Sequence, residues 1–173
     1  MEPIRVLHNI ASLHFGGAQA FLMNVYNNID REKVQFDFVV TPEEKKDLYE
    51  QVEQMGGRIF VCPKYTGKNH FAYCRWWNDF FAEHPEYHVI HGHVRSTASI
   101  YLKIAQKYGL VTIAHSHSTS NGSGVSAIVK NIMQLPIRHT ADYLFACSDK
   151  AGKWLYGEKA TKQPNYRMIP NGV

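Results

Sequence analysis

Several of the features that would place a chain quickly in a large functional class are missing here. Within its 173 residues no apolar run approaches the ~20 residues that a membrane span needs. Cysteine is scarce: Cys62, Cys74 and Cys147 are odd in number and form no Cys-x-x-Cys pair, which argues against a disulfide framework and a thiolate zinc site. The opening MEPIRVLHNI has neither a basic n-region nor a small-residue cleavage site, so no signal peptide is read and a cytoplasmic location is expected. Neither sign of charge dominates, with nineteen Lys and Arg against fifteen Asp and Glu, a formal +4. With no basic run, no zinc-finger spacing and no RNA-binding aromatic signature, nucleic acid is not expected as a partner. There is no internal repeat and no low-complexity stretch.

What is present reads as one soluble globular domain, 45% hydrophobic and 20% charged. Apolar, β-branched runs recur as IRVLHNI, FDFVV, RIFVC, HVIHGH, VTIAHSHS, YLFACS and YRMIP, and helix-like segments separate most of them. Alternation of this kind predicts an α/β, Rossmann-like three-layer domain with a mainly parallel sheet of about seven strands. The first helix has the clearest pattern, with Ala18, Phe21, Leu22, Val25, Tyr26 and Ile29 at helical spacing on one face. Further helices are expected over about Glu43 to Met55, His70 to His84, Thr97 to Gly109, Val125 to Asp142 with a kink near Pro136, and Asp149 to Gly157. The terminal MIPNGV resembles a strand and turn without a closing element, and it predicts that the chain is one half of a larger protein.

Parallel sheets bind ligands at the carboxyl ends of their strands, where crossover loops converge and helix N-termini present free N–H groups. His14, Gly16 and Gly17 follow the first predicted strand. His91, His93 and Arg95 follow the fourth, His115, His117, Ser118 and Thr119 end the fifth, and Ser148 follows the sixth. Gly16 and Gly17 permit close backbone approach by a phosphate or sugar hydroxyl, or alternatively a strand-to-helix turn that needs positive φ. FGGAQAF is not a dinucleotide fingerprint, and Thr41-Pro42 stands where an acidic ribose ligand would be expected. The HGH and HSH pairs could share a zinc ion, since imidazoles two apart on a strand face one way, but four imidazoles without a carboxylate or thiolate make an unusual site. The other reading has His91 and His115 hydrogen-bonded to nearby backbone, leaving His93 and His117, nearer the loops, to meet a ligand. No metal ligand is assigned.

Taken in order, FGGAQ, VIHGH, IAHSHS, FACS and IPNGV resemble the N-terminal half of retaining, GT-B-fold glycosyltransferases of the family-four type, particularly bacterial ones of capsule and exopolysaccharide synthesis. The resemblance spans essentially the whole chain and implies that residues 1–173 are an acceptor-binding domain whose nucleotide-sugar-binding partner domain is absent. It implies a hexosyl transfer from a nucleotide sugar to a glycan or lipid-linked acceptor, with no cofactor, no obligatory metal, and no turnover by this half alone. His117 takes the catalytic position better than His115. Gly16 and Gly17 would lie under donor pyrophosphate and acceptor hydroxyl, with His91, His93, Arg95, His115, Ser118, Thr119, Ser148 and Asn171 completing the substrate rim. The other functions weighed are a non-catalytic carbohydrate- or nucleotide-binding module and a His-rich metal-dependent hydrolase. Lys64, Lys68 and Arg75, interleaved with Tyr65, Phe71, Tyr73, Trp76 and Trp77, suggest peripheral contact with anionic lipid at the inner face of the cell membrane. On the alternative, Phe71, Cys74, Trp77 and Phe81 are the buried stripe of the third helix.

Overall fold

The structure is a computed structural model and describes residues 2–42, 47–120 and 122–171. Seven strands form one parallel sheet: β1 (Ile4–Asn9), β2 (Val34–Val40), β3 (Ile59–Val61), β4 (Val89–Gly92), β5 (Val111–Ser116), β6 (Tyr143–Ala146) and β7 (Tyr166–Met168). Their spatial order is β3-β2-β1-β4-β5-β6-β7. The helices are α1 (Gly17–Asn28), α2 (Tyr49–Gln54), α3 (His70–Glu83), α4 (Ala98–Lys107), α5 (Val125–Gln134), α6 (Ile137–Thr140) and α7 (Asp149–Tyr156). The α/β, Rossmann-like architecture expected from the alternating pattern is the one observed.

Two apolar clusters sandwich the sheet. On one side α1 and α2 bring Leu22, Tyr26 and Val52 against Phe36, Phe38 and Val40 of β2. On the other, α3, α4, α6 and α7 bring Trp77, Tyr101, Ile137 and Tyr156 against Leu7, Ile90, Ala114 and Leu144. At the amino ends, the fully buried Asp37 accepts two bonds from Arg5 (2.5 and 2.6 Å), one from the Tyr87 hydroxyl (2.7 Å) and one from the Arg58 amide (2.7 Å). The carboxylate bond raises the Arg5 pKa, and the cluster ties β1 and β2 to the residues that lead into β3 and β4.

Two helix boundaries and one buried face differ from the sequence pattern. Only Tyr49–Gln54 of the expected second helix is helical, and its first four expected residues, 43–46, lie outside the described residues. The expected kink at Pro136 is a full break, because proline lacks an N–H and fits a helix start: α5 stops at Gln134 and Pro136 caps α6. On α3 the buried residues are Tyr73, Trp77, Phe80 and Phe81, while Phe71 is 86% exposed. Phe71 therefore does not belong to the stripe that was one of its two expected placements.

Candidate functional site

Chain direction through the sheet reverses between β1 and β4, which lie side by side although three helices and two strands separate them in sequence. A crevice opens at such a switch point, at the carboxyl ends of the strands. His8 pairs in register with His91 across β1 and β4, and β4 pairs with β5 so that His91 stands opposite Ile113. Because side chains alternate along a strand, His8, His91, His93, His115 and His117 share one face of the sheet. It is the face that α1 covers: Phe21, one turn into α1, lies 5.4 Å from the His115 ring and 5.9 Å from that of His117.

The five imidazoles contact one another. His8 Nδ1 is 3.1 Å from His93 Nε2, His93 Nδ1 is 2.7 Å from His117 Nε2, and His117 Nδ1 is 3.1 Å from Asn171 Oδ1. An amide oxygen only accepts, so the proton of His117 sits on Nδ1 and its Nε2 lone pair accepts from His93 Nδ1–H. His93 Nε2 then accepts from His8 Nδ1–H. One asparagine thereby sets the tautomer of three histidines. Separately, His91 Nε2 lies 3.1 Å from His115 Nδ1. The expectation that His91 and His115 bond to nearby backbone is corrected: they bond to each other, since the parallel register brings their rings to 5.2 Å, nearly coplanar in orientation. His93, expected nearer the loops and open to ligand, is only 9% exposed, leaving His117 as the half-buried member that reaches the rim.

Burial keeps this cluster neutral. It lowers the pKa of His91 to about 3 and of His115 to about 2, and it lowers those of His8 and His93 well below the ordinary value. His117 is lowered by burial and by Arg95, against the opposing bond to Asn171. Neutral imidazoles keep lone pairs, and ligand nitrogens of His93, His115 and His117 lie within 4.8 Å of one another, as do those of His8, His91 and His93. Either trio has the donor chemistry for an imidazole-preferring ion. The 2.7 Å bond between His93 and His117 already engages the His117 Nε2 lone pair and the proton on His93 Nδ1.

Gly16 and Gly17 do not serve the positive-φ turn that was one of their two expected uses. Gly16 caps α1 in extended backbone (φ −172°), and neither glycine has a positive φ. A Cβ on Gly16 would meet Gln19 Oε1 at 2.7 Å, whereas one on Gly17 would meet nothing within 4 Å. Neither strain nor packing within the chain calls for glycine at 17.

The remaining candidates are placed as follows. The Arg95 guanidinium donates to the carbonyls of Ser118 (3.0 Å) and Ser120 (3.2 Å) and sits 4.9 Å over Trp154, so it braces the loop after β5. Ser118 and Thr119 lie on that loop. Ser148 caps α7, its hydroxyl accepting from the Ala151 amide at 3.2 Å, a structural use the sequence reading did not assign. His14 is apart from the cluster in its bonding and pairs with Asp47. His8 was missed; its signal was its position in β1, matching that of His91 in β4, which only the strand order makes meaningful. Two larger hollows, about 720 Å³ beside Tyr156 and Lys159 and about 610 Å³ beside Arg5 and Arg58, contain none of these residues. Neither adjoins the switch point.

Comparison with known proteins agrees with this geometry. The chain is 29% identical over 175 residues to EpsF of Bacillus subtilis (strain 168), a glycosyltransferase by name, covering 98% of this chain and 45% of that protein. The crystal structure of Anabaena HepE in complex with UDP-glucose superposes with a TM-score of 0.65 at 16% identity, over 98% of this chain and 44% of that one. A lipopolysaccharide outer core galactosyltransferase, WaaB, gives 0.64 at 15%, over 98% and 46%. A UDP-N-acetylglucosamine 2-epimerase gives 0.63 at 11%, so the likeness of these structures carries the fold and leaves the reaction open. The chain spans about half the length of these relatives. The description Glycosyltransferase Family 4 matches residues 15–173, so that Gly16, Gly17, four of the five clustered histidines and Asn171 fall within it: the chain belongs to Glycosyltransferase Family 4.

Proposed function

We propose that the chain is the acceptor-binding half of a retaining hexosyltransferase that moves a sugar from a nucleotide diphosphate donor to a glycan or lipid-linked acceptor of a surface polysaccharide, in the cytoplasm at the inner face of the membrane. The observation that carries the reading is Gly17: a helix-opening glycine after β1 with no positive φ, where an added Cβ would meet no atom within 4 Å. Its open space suits a diphosphate or a sugar hydroxyl against the free N–H groups of α1. The named relatives support the donor class, HepE having been solved with UDP and with UDP-glucose.

In this reading His117 is the catalytic residue, and its neutrality has a purpose. Sugar transfer passes through an oxocarbenium-like state, and a full positive charge beside the ring would oppose it, whereas a neutral imidazole can orient a hydroxyl without that repulsion. Asn171 holds the Nδ1 proton, and the Nε2 lone pair exchanges His93 for a substrate hydroxyl. His91, His93 and His115 support His117, Arg95 with Ser118 and Thr119 shapes the loop beside the acceptor, and Ser148 fixes the start of α7 at the same rim. No cofactor or metal enters the scheme. The groups that neutralise the donor diphosphate belong to a second domain, so residues 1–173 alone bind acceptor without turnover.

The test is release of nucleoside diphosphate from a panel of nucleotide sugars by the full-length protein and by Gly17→Ala. The substitution fits without strain, so the melting temperature should hold while the rate falls by more than about tenfold. An unchanged rate for Gly17→Ala, or steady turnover by residues 1–173 alone, overturns the reading.

A further inference from the structure

Two nitrogens of the histidine cluster are left over. His115 Nε2 and His8 Nε2 belong to side chains 0 and 2% exposed, and neither has a hydrogen-bond partner. A polar atom shut away from water without a partner calls for a ligand or another physical reason. For His115 the geometry supplies a ligand. Its Nδ1 lies 3.1 Å from His91 Nε2, and when Nδ1 carries the proton and donates, Nε2 is a bare lone pair. The His115 ring centre stands 4.0 Å from that of His117 and 5.5 Å from that of His93, and the latter two are 5.0 Å apart. Imidazole nitrogens bind Zn²⁺ at about 2.0–2.1 Å, which puts two ring centres on one tetrahedral ion about 5 Å apart. The three rings already stand near that spacing.

The far side of each ring is held as well. Metal-ligating histidines hydrogen-bond through their other nitrogen, which fixes tautomer and orientation. Here His115 Nδ1 has His91, His117 Nδ1 has Asn171 Oδ1 at 3.1 Å, and His93 Nε2 has His8 Nδ1 at 3.1 Å. The nitrogens left to an ion are His115 Nε2, His117 Nε2 and His93 Nδ1. The last two share one proton across 2.7 Å. For both to ligate, His93 carries its proton on Nε2 and donates to His8 Nδ1, and His8 carries its own on Nε2. The number of protons is unchanged and every ring stays neutral. His8 makes one hydrogen bond in either tautomer, because its Nε2 has a partner in neither. Burial, which holds His93 and His115 neutral, spares an incoming ion the displacement of protons.

We propose that His93, His115 and His117 form a binding site for a divalent cation of the Zn²⁺ class, and that an ion held there inhibits sugar transfer by taking the His117 Nε2 lone pair. The inhibition rests on the transferase reading, and the binding does not. The other trio, His8, His91 and His93, is at most 9% exposed throughout, whereas His117 is half-buried and gives an ion a way in. Three imidazoles and an open fourth position are a known donor set for zinc. Among the described residues no carboxylate joins the trio, and Arg95 adds positive charge near His117, so the ion's charge is left unneutralised and its binding is reversible. Mg²⁺ and Ca²⁺, which take oxygen ligands, find none in the trio.

The experiment is titration of the metal-free full-length protein with Co²⁺ and then Zn²⁺, read by visible absorption and equilibrium dialysis with no sugar nucleotide present. The expected Co²⁺ complex shows the visible bands of a four-coordinate ion without thiolate charge transfer, and it is displaced by Zn²⁺ but not by Mg²⁺. His115→Gln removes a ligand, and Asn171→Ala removes the hydrogen bond behind His117; each should weaken binding at least about tenfold. Asn171→Ala spares the ligands, so it tests the site even where His115→Gln fails to fold. His14→Ala, at the exposed pair with Asp47, should leave the affinity unchanged. Release of nucleoside diphosphate should fall with Zn²⁺ occupancy and recover with a chelator. Absence of a Co²⁺ or Zn²⁺ complex in the unaltered protein overturns the proposal, as does an affinity that neither His115→Gln nor Asn171→Ala changes. An ion held with that dependence but without effect on transfer overturns the inhibition, and with it the role of His117. A protein that binds the ion and transfers no sugar refutes the transferase reading and leaves the site standing.

Discussion

Lowering the pH from 7.5 to 5.5 should remove a large part of the stability of this fold, because four imidazoles are sealed in it without charge. His8, His91, His93 and His115 are at most 9% exposed. Burial depresses all four pKa values, to about 3 and about 2 for His91 and His115 and well below the ordinary value for the other two. In the unfolded chain each would titrate near its ordinary value of about 6.5. Below that value the unfolded state binds protons that the folded state refuses, so stability is fully present above about pH 6.5 and is lost as the pH falls toward the folded-state values. At pH 5.5, one unit below the unfolded pKa, each histidine costs about 1.4 kcal/mol, and the four together cost about 5–6 kcal/mol. A domain's whole stability is roughly 5–15 kcal/mol. Carboxylates do not compete for this window, since ordinary ones titrate near about 4. Urea unfolding followed by far-UV circular dichroism at pH 7.5, 6.5 and 5.5 would measure the loss as a falling midpoint at constant slope. His115→Gln keeps a hydrogen-bonding side chain beside His91 but cannot titrate, so it should flatten the pH dependence by about 1 kcal/mol over the same interval. A midpoint that does not move between pH 7.5 and 5.5 would refute the argument, and with it the neutrality of the cluster.

Three further outcomes are expected. His117→Ala in the full-length protein should lower turnover more than about tenfold with the fold intact, and His115→Ala should lower it less; normal rates for both would remove the histidine rim from the chemistry. Gly92→Ala should destabilise by about 1–3 kcal/mol, because the added carbon would press on the Tyr101 ring, whose Cε2 and Cζ stand 3.0 Å from its position, and an unchanged melting temperature would contradict the packing described. Arg5→Met should cost roughly 3–5 kcal/mol by leaving the buried Asp37 carboxylate without its paired cation, which thermal unfolding at pH 7.5 would read.

Much of this protein was legible from local pattern. Short apolar, β-branched runs marked all seven strands and period-3.6 patterns marked the longer helices, since both signals reflect backbone geometry within a few residues. The family likeness rested on five short segments in order, and the match over residues 15–173 agrees with it. His91, His93, His115 and His117 were recognisable as a group because they end neighbouring strands.

Tertiary structure decided what depends on residues far apart in the chain. His8 joined the cluster only because β1 lies beside β4, a consequence of strand order that no spacing within IRVLHNI expresses. The same register turned His91 and His115 toward each other instead of toward backbone, and a single contact with Asn171, 54 residues beyond His117, set the tautomers along the chain. Helical periodicity revealed that α5 has an apolar side, but periodicity is unchanged by rotation about the helix axis. Only the packing of α5 on α4, through Ser99 and Met133, determined that this side faces outward.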